Sequence, residues 1–362
     1  MGPPRHLALL GDVAAEVVDW PAPWADGVEL LLAMRGRQVA VLASGDPFWF
    51  GAGAALARRL EPGEWRAFPG VSCFALAAAR LGWALEEVEC LGLHAAPLTR
   101  LRPLLAQGAR LIVTLRDGAA VAALSEYLRE TGFGAAKVVV MEALGGPRER
   151  LTEAVAEELE GEFAHPVVAA LEIGPGPALP CVPGRADRIF DHDGQITKRP
   201  VRALTLSALA PRAGEHLWDI GGGSGSIGIE WMLAHPRNRA SCVEADPVRA
   251  ARLTENAARL GVDRLVCVTG RAPQALEGLE APDAVFVGGG LSEALLERLI
   301  ALPEGTRIVA NAVTLESEAL LVAARARHGG SLLRVELSTA KPLGTRTGWA
   351  ASYPIVQWSV TL

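Results

Sequence analysis

The sequence predicts an α/β chain of two domains, and three observations carry that prediction. Short β-rich runs alternate with Ala- and Leu-rich helical stretches along most of the 362 residues, the pattern of sheets covered by helices. The length exceeds that of one ordinary domain. A break lies near the middle, where residues 173–184 read IGPGPALPCVPG and seven of twelve are Gly or Pro. Neither a helix nor a central strand survives that composition. The expected division is therefore a first domain over 1–172, a linker over 173–189 and a second domain over 190–362.

Taken in order, the first half offers strand candidates at 39–43, 110–115, 137–141 and 166–171, with helical stretches at 51–60, 72–81 and 119–131. The second half alternates more cleanly. Its strand candidates are 216–220, 240–244, 265–268, 284–287 and 306–310, and two further β-rich stretches, 331–337 and 353–361, close the chain as a hairpin. Strands separated by helices predict parallel sheets.

Composition narrows the function. With 35 Lys and Arg against 41 Asp and Glu, the net charge is −6, which argues against a nucleic-acid-coating protein. Five cysteines, none in a C-x-x-C pair, predict neither a disulfide framework nor a metal cluster, and fit buried thiols in a reducing cytoplasm. No apolar run reaches the length that a bilayer demands.

The clearest chemistry is LWDIGGGSGSIGIE, residues 217–230, an apolar strand running into a glycine-rich turn and then a helix. Glycine permits the sharp turn and lets a ligand touch the main chain, and the amides of a helix start favour electron-rich groups. Glu244 ends the second strand, nineteen residues past Gly225, where a carboxylate can accept both hydroxyls of a ribose. Two features favour S-adenosylmethionine over a dinucleotide. The loop TGRAPQAL after Val268 is placed to flank an adenine, and the closing β-rich stretches resemble the antiparallel end of class I methyltransferases. A dinucleotide-dependent reductase is the rival reading of the same loop. The strand ending in Gly288-Gly289-Gly290 lacks the Asn-Pro-Pro-aromatic signature of base-methylating enzymes.

DHDGQITKRPVRALTLSAL, GGGSGSIGIEW, GRAPQAL, DAVFVGGG, IVANAVTLESE and the closing PLG…GW…P…QW together resemble the C-terminal half of the decarboxylating precorrin-6B C(5,15)-methyltransferase family of cobalamin synthesis, over about 190–362. The resemblance implies a Rossmann-like domain whose donor contacts fall here on Thr197, Gly221, Gly222, Gly223, Ser224, Gly225, Glu244 and Ala272. Arg271 stands where the family often has Asp.

In the first half, SGDPFWFG (44–51) and FPGVSC (68–73) each follow a candidate strand. Alone, Asp46 before Pro47 reads as a turn with a helix cap. Together the two strings resemble the tetrapyrrole methylases, whose G-D-P and P-G-x-x-[SA] loops hold S-adenosylmethionine and substrate between two lobes. By that resemblance Gly45, Asp46, Ser72 and Cys73 are donor-site candidates. That family opens with a strand and a G-x-G-x-G-D loop, whereas this sequence starts at MGPPRHLALLGD. The expectation is a first domain lacking its opening strand, either a scaffold or a domain whose start codon is mis-assigned. His94-Ala95-Ala96 replaces the family's H-G-R segment, and His94 reads better as a packed strand-end residue than as a catalyst.

The implied substrate is an anionic precorrin or cobalt-precorrin, methylated at meso carbons 5 and 15 with loss of the carbon 12 acetate. Meso carbons are already nucleophilic, so alignment and exclusion of water are the protein's main tasks. Carboxylate arms call for cations. The candidates are Lys198, Arg199, Arg202 and Arg346, with Asn311 as a hydrogen-bonding group and Trp49 and Trp349 as macrocycle contacts. A homo-oligomer is expected, with no nucleic-acid or membrane partner.

Overall fold

Two sheets of different character organise the chain. The computed structural model describes residues 1–362. Backbone contacts divide it into two units: Met1–Leu98 with Leu104–Pro177, and Thr99–Pro103 with Ala178–Leu362.

The first unit contains helices α1 (Pro4–Leu7), α2 (Trp24–Ala33), α3 (Ala52–Ala57), α4 (Cys73–Leu81) and α5 (Ala119–Glu130). Its strands are β1 (Glu89–Gly92), β2 (Arg110–Thr114), β3 (Lys137–Glu142), β4 (Arg150–Val155) and β5 (Val167–Glu172), in the order β1-β2-β5-β3-β4. Only β1 and β2 run parallel; the other three pairings are antiparallel. The parallel sheet expected from strand–helix alternation is corrected for this half, because β3, β4 and β5 follow one another with no intervening α-helix to carry the chain back. Strand alternation still sorts the sheet. Ile112, Met141, Val168 and Ala170 meet Phe74, Ala77 and Ala78 of α4, while Leu111, Val113 and Leu171 between them are equally buried.

The expected strand at 39–43 is absent, and FPGVSC has no strand before it either. Segments near 18–20 and 40–42 are instead tied to Met1 and Gly2. Gly2 donates to Val18 O and accepts from Trp20; Met1 donates to Ala40 O and accepts from Leu42. Among these contacts the only β-pairing is one isolated bridge, Gly2 with Asp19, rather than a ladder.

The second unit follows the predicted plan. Its strands are β6 (His216–Ile220), β7 (Arg239–Glu244), β8 (Val266–Thr269), β9 (Ala284–Val287), β10 (Arg307–Ala312), β11 (Ser331–Val335), β12 (Ser338–Leu343), β13 (Arg346–Ala351) and β14 (Ile355–Thr361). The helices are α6 (Arg199–Leu209), α7 (Ser226–Ala234), α8 (Pro247–Arg259), α9 (Glu293–Ile300) and α10 (Leu315–His328). Seven strands form one sheet in the order β11-β14-β10-β9-β6-β7-β8, with β14 antiparallel to both neighbours. The closing hairpin is thus not continuous: β12 and β13 pair with each other as an exposed insert between β11 and β14.

Period-two alternation divides this sheet between two cores. Leu217, Ala240, Phe286 and Val309 pack with Ile229, Trp231 and Leu253 from α7 and α8. Trp218, Val243, Val285 and Ile308 pack with Leu295, Leu299 and Leu321 from α9 and α10. Each fully buried aliphatic side chain contributes about 1.5–3 kcal/mol. Asp246, Ser292 and Thr314 cap α8, α9 and α10 with their side-chain oxygens.

Candidate functional site

The sheet order reverses between β6 and β9, which neighbour each other although β7 and β8 intervene in sequence. Such a switch point leaves a crevice at the strands' carboxyl ends. The glycine loop sits there. Gly221, Gly223 and Gly225 have φ of 75°, 56° and 76°, left-handed values that side chains disfavour. A Cβ on Gly221 would lie 2.6 Å from Gly289 N, so the loop after β6 presses against the one after β9. Gly223 is different, since a Cβ there would meet nothing closer than 3.8 Å. Its surroundings are open.

Glu244 is buried at the end of β7 and holds this loop. Its Oε2 accepts the Gly223 N–H at 2.8 Å and its Oε1 the Asp246 N–H at 2.9 Å. A carboxylate has about four acceptor sites, so capacity for hydroxyl donors remains. Beside it, the Ser224 hydroxyl is buried and has no hydrogen-bond partner. A buried unsatisfied hydroxyl costs free energy, and a polar ligand in the crevice would remove that cost.

Two residues that the motif reading missed brace the loop. Asp219 is fully buried in β6 and accepts the Gly228 N–H of α7 at 2.9 Å. Burial pushes its carboxyl up to about 7, with the Gly228 N–H opposing the shift in part. Asn256 of α8 donates from Nδ2 to Ser224 O at 3.0 Å and Asp191 O at 2.9 Å, and its Oδ1 accepts from Asp191 N. It clamps the loop to the segment before α6. The signal for Asn256 was a polar residue on the inward stripe with Ala250, Leu253 and Ala257; for Asp219 it was an acid two places before the first loop glycine.

The remaining candidates separate. Thr197 is half-buried just before α6, and Ala272 is half-buried against the core. Lys198 and Arg199 are exposed at the start of α6, and Arg346 is exposed on β13. Arg202 corrects its grouping with them. It is fully buried, bonds Glu230 at 2.7 Å and Asp187 at 3.0 Å, donates to the carbonyls of Thr197 and Arg185, and lies over the Phe190 ring. Its guanidinium is committed within the protein and is neither a solvated cation nor open to a substrate carboxylate. Asn311 joins a polar network: its Nδ2 donates to Thr205 Oγ1, and its Oδ1 accepts from Gln357 Nε2. Trp349 is 79% exposed on β13.

The first unit brings its four candidates together. Gly45, with φ 56°, accepts from Gly70 N, and a Cβ there would lie 3.0 Å from Val71 O. Asp46 accepts the Phe48 N–H at 2.8 Å, the turn that its residue type suggests. Ser72 caps α4 by accepting from Ala75 N, and Cys73 begins that helix with burial pushing its thiol up. Phe50 adopts φ 55°, an uncommon conformation for an aromatic residue, and its ring packs 5.6 Å from that of Phe74. His94 bonds Thr114 Oγ1 at 3.0 Å beyond β1.

The sequence profile described as "Precorrin methyltransferase domain" matches residues 188–362, and that described as "Tetrapyrrole (Corrin/Porphyrin) Methylases" matches 21–160. A Sinorhizobium protein named precorrin-6Y C(5,15)-methyltransferase [decarboxylating] is 50% identical over 364 residues, covering 99% of this chain and 88% of its own. The chain belongs to the decarboxylating precorrin-6Y C(5,15)-methyltransferase family. A Mycobacterium tuberculosis protein of the same name is 41% identical over 368 residues, covering 99% of this chain and 92% of its own. The solved C-terminal domain of the Rhodobacter capsulatus precorrin-6Y C5,15-methyltransferase is 55% identical, covers 51% of this chain and all of its own, and superposes with a TM-score of 0.49. Membership of this family sets the reductase reading aside.

Proposed function

We propose that this chain transfers methyl groups from S-adenosylmethionine to meso carbons 5 and 15 of an anionic precorrin and releases the carbon 12 acetate as carbon dioxide. The supporting observation is a glycine cradle, closed by Glu244, at the switch point of a chain that aligns nearly end to end with a decarboxylating C(5,15)-methyltransferase. When bound, the donor supplies an electrophilic sulfonium methyl. Glu244 accepts its ribose hydroxyls, the Gly221–Gly225 backbone and Ser224 receive its polar groups, and Thr197 and Ala272 border it. Gly45, Asp46, Ser72 and Cys73 form the first unit's donor site.

The residues' work is positional. A meso carbon conjugated to a pyrrole nitrogen needs no covalent nucleophile from the protein, only alignment with the methyl group and a dry site. Lys198, Arg199 and Arg346 are exposed and suit the carboxylate arms. We assign carbon 15 and the decarboxylation to the domain at 190–362, carbon 5 to that at 1–172, and the joint between them to 173–189. A Saccharolobus solfataricus protein named probable cobalt-precorrin-6B C(15)-methyltransferase (decarboxylating) is 35% identical over 180 residues, 47% of this chain and 89% of its own, which supports two separable activities. The five free thiols suit a protein working in the reducing cytoplasm.

The test is mass spectrometry of the macrocycle after reaction with labelled donor. The reading expects two labelled methyl groups gained and one carbon dioxide lost. A product with no added methyl would overturn it, and one lacking only the carbon 5 methyl would reduce the first domain to a scaffold.

A further inference from the structure

We propose that Arg5, His6 and His165 form a carboxylate subsite in the first unit, taking one acid arm of the macrocycle whose ring lies against Phe48 and Trp49. This rests on the precorrin reading above. The three residues converge although His165 is distant in sequence. Arg5 Nη1 lies 2.8 Å from His165 Nε2, and Arg5 Nε donates to His6 Nε2 at 3.4 Å. His6 Nε2 is also 2.8 Å from Ser44 Oγ, and its Nδ1 faces Leu42 O at 3.4 Å.

A guanidinium only donates. Both Nε2 atoms therefore face Arg5 as acceptors, which assigns the ring N–H of each imidazole to Nδ1. For His6 that proton points at the Leu42 carbonyl, as the geometry requires. No carboxylate lies within 4.0 Å of Arg5, whereas Arg35, Arg37 and Arg59 of the same unit each pair with a glutamate. Arg5 is thus an exposed cation oriented by two ring nitrogens, with its Nη2 edge unengaged. That edge suits a carboxylate from solution.

The surroundings fit a flat, carboxylate-rimmed ligand. Ser44 links the cluster to the turn carrying Gly45 and Asp46, and that turn leads into the exposed rings of Phe48, Trp49 and Phe50. Phe48 leans on Trp65 with centroids 5.3 Å apart, and Trp49 stacks on Phe74 at 5.7 Å. A conjugated ring covers an apolar wall of this kind while its acid arms reach past it to the cation.

The experiment compares Arg5→Ala, Arg5→Lys and His165→Ala with the unaltered full chain. Losing a charge-assisted contact of this type weakens binding about 10–100-fold. Arg5→Ala is therefore expected to raise KM for the macrocycle in carbon 5 methylation by that factor, with kcat and the donor's calorimetric Kd little changed. Arg5→Lys should recover part of the loss, and carbon 15 methylation should not move. Should Arg5→Ala fail to fold, His165→Ala reads the same arm with a smaller rise. Unchanged KM in all the soluble variants overturns the subsite. Weakened donor binding overturns it too, since the cluster would then be propping the donor loop. Failure of the unaltered chain to methylate carbon 5 defeats the precorrin reading of this domain, and the subsite with it.

Discussion

The Gly223 N–H is donated to Glu244 Oε2 over 2.8 Å, so the end of β7 fixes the tip of the glycine loop after β6. One carboxylate therefore shapes the cradle and keeps lone pairs free for a ligand. Glu244→Ala should weaken S-adenosylmethionine binding about 10–100-fold, since a charged hydrogen-bonding partner is lost and Gly223 is left unpaired. Titration calorimetry reads the change. An unaltered Kd would remove Glu244 from the donor site.

Gly221 and Gly223 should respond differently to alanine. At Gly221 the new Cβ meets backbone at 2.6 Å, so Gly221→Ala should destabilise the protein by about 1–3 kcal/mol, as overpacking does. Gly223→Ala adds only left-handed strain of about 1–2 kcal/mol but fills open space beside Glu244. Its Tm should change less, while donor affinity falls. Paired melting and binding measurements separate the two effects.

Asp219 makes stability depend on pH. Its folded value of about 7 lies above the ordinary carboxylate range. The native state therefore holds a proton that the unfolded chain releases near pH 4. The contribution is complete below that point and is lost as pH rises through about 7. Urea unfolding of the natural protein, referenced to Asp219→Asn, should show this difference shrinking from pH 5 to 8, by up to about 3 kcal/mol. A flat difference would mean that Asp219 is ionised when folded.

Arg202 and Glu230 form a buried pair, with Arg185 also reaching Glu230 and the Gly184 and Arg185 amides donating to it. Removing one partner strands a buried charge and typically costs about 3–5 kcal/mol. Arg202→Met should therefore lower stability by roughly that amount. Arg199→Met, at an exposed position one helical turn away, should be near neutral in the same denaturation assay.

The second unit was legible because its signals agree. Apolar strands, a glycine turn at a strand end and an acid closing the next strand all point to one switch-point crevice. What escaped was set by tertiary context. Arg202 reads as one of four basic residues around 198–202 and 346, and only the burial of Glu230 on α7 explains why it turns inward. In the first half, residues 39–43 have strand composition, yet the fold gives them no ladder partner, and composition alone does not supply one. β12 and β13 lack an apolar face, being almost wholly exposed, so no burial pattern marked them. Arg5, His6 and His165 meet only through the fold, and no motif joins them.

The strand that comes last in sequence, β14, lies inside the second sheet between β10 and β11. During synthesis, β10 must wait for residues 355–361 before its outer edge is paired and Trp358 can seal that side of the core. The first unit has its entire sheet by residue 172. A growing chain can thus hold a folded leading half while the trailing half still presents an open edge, and chaperone demand should concentrate on the interval before residues 355–361 emerge.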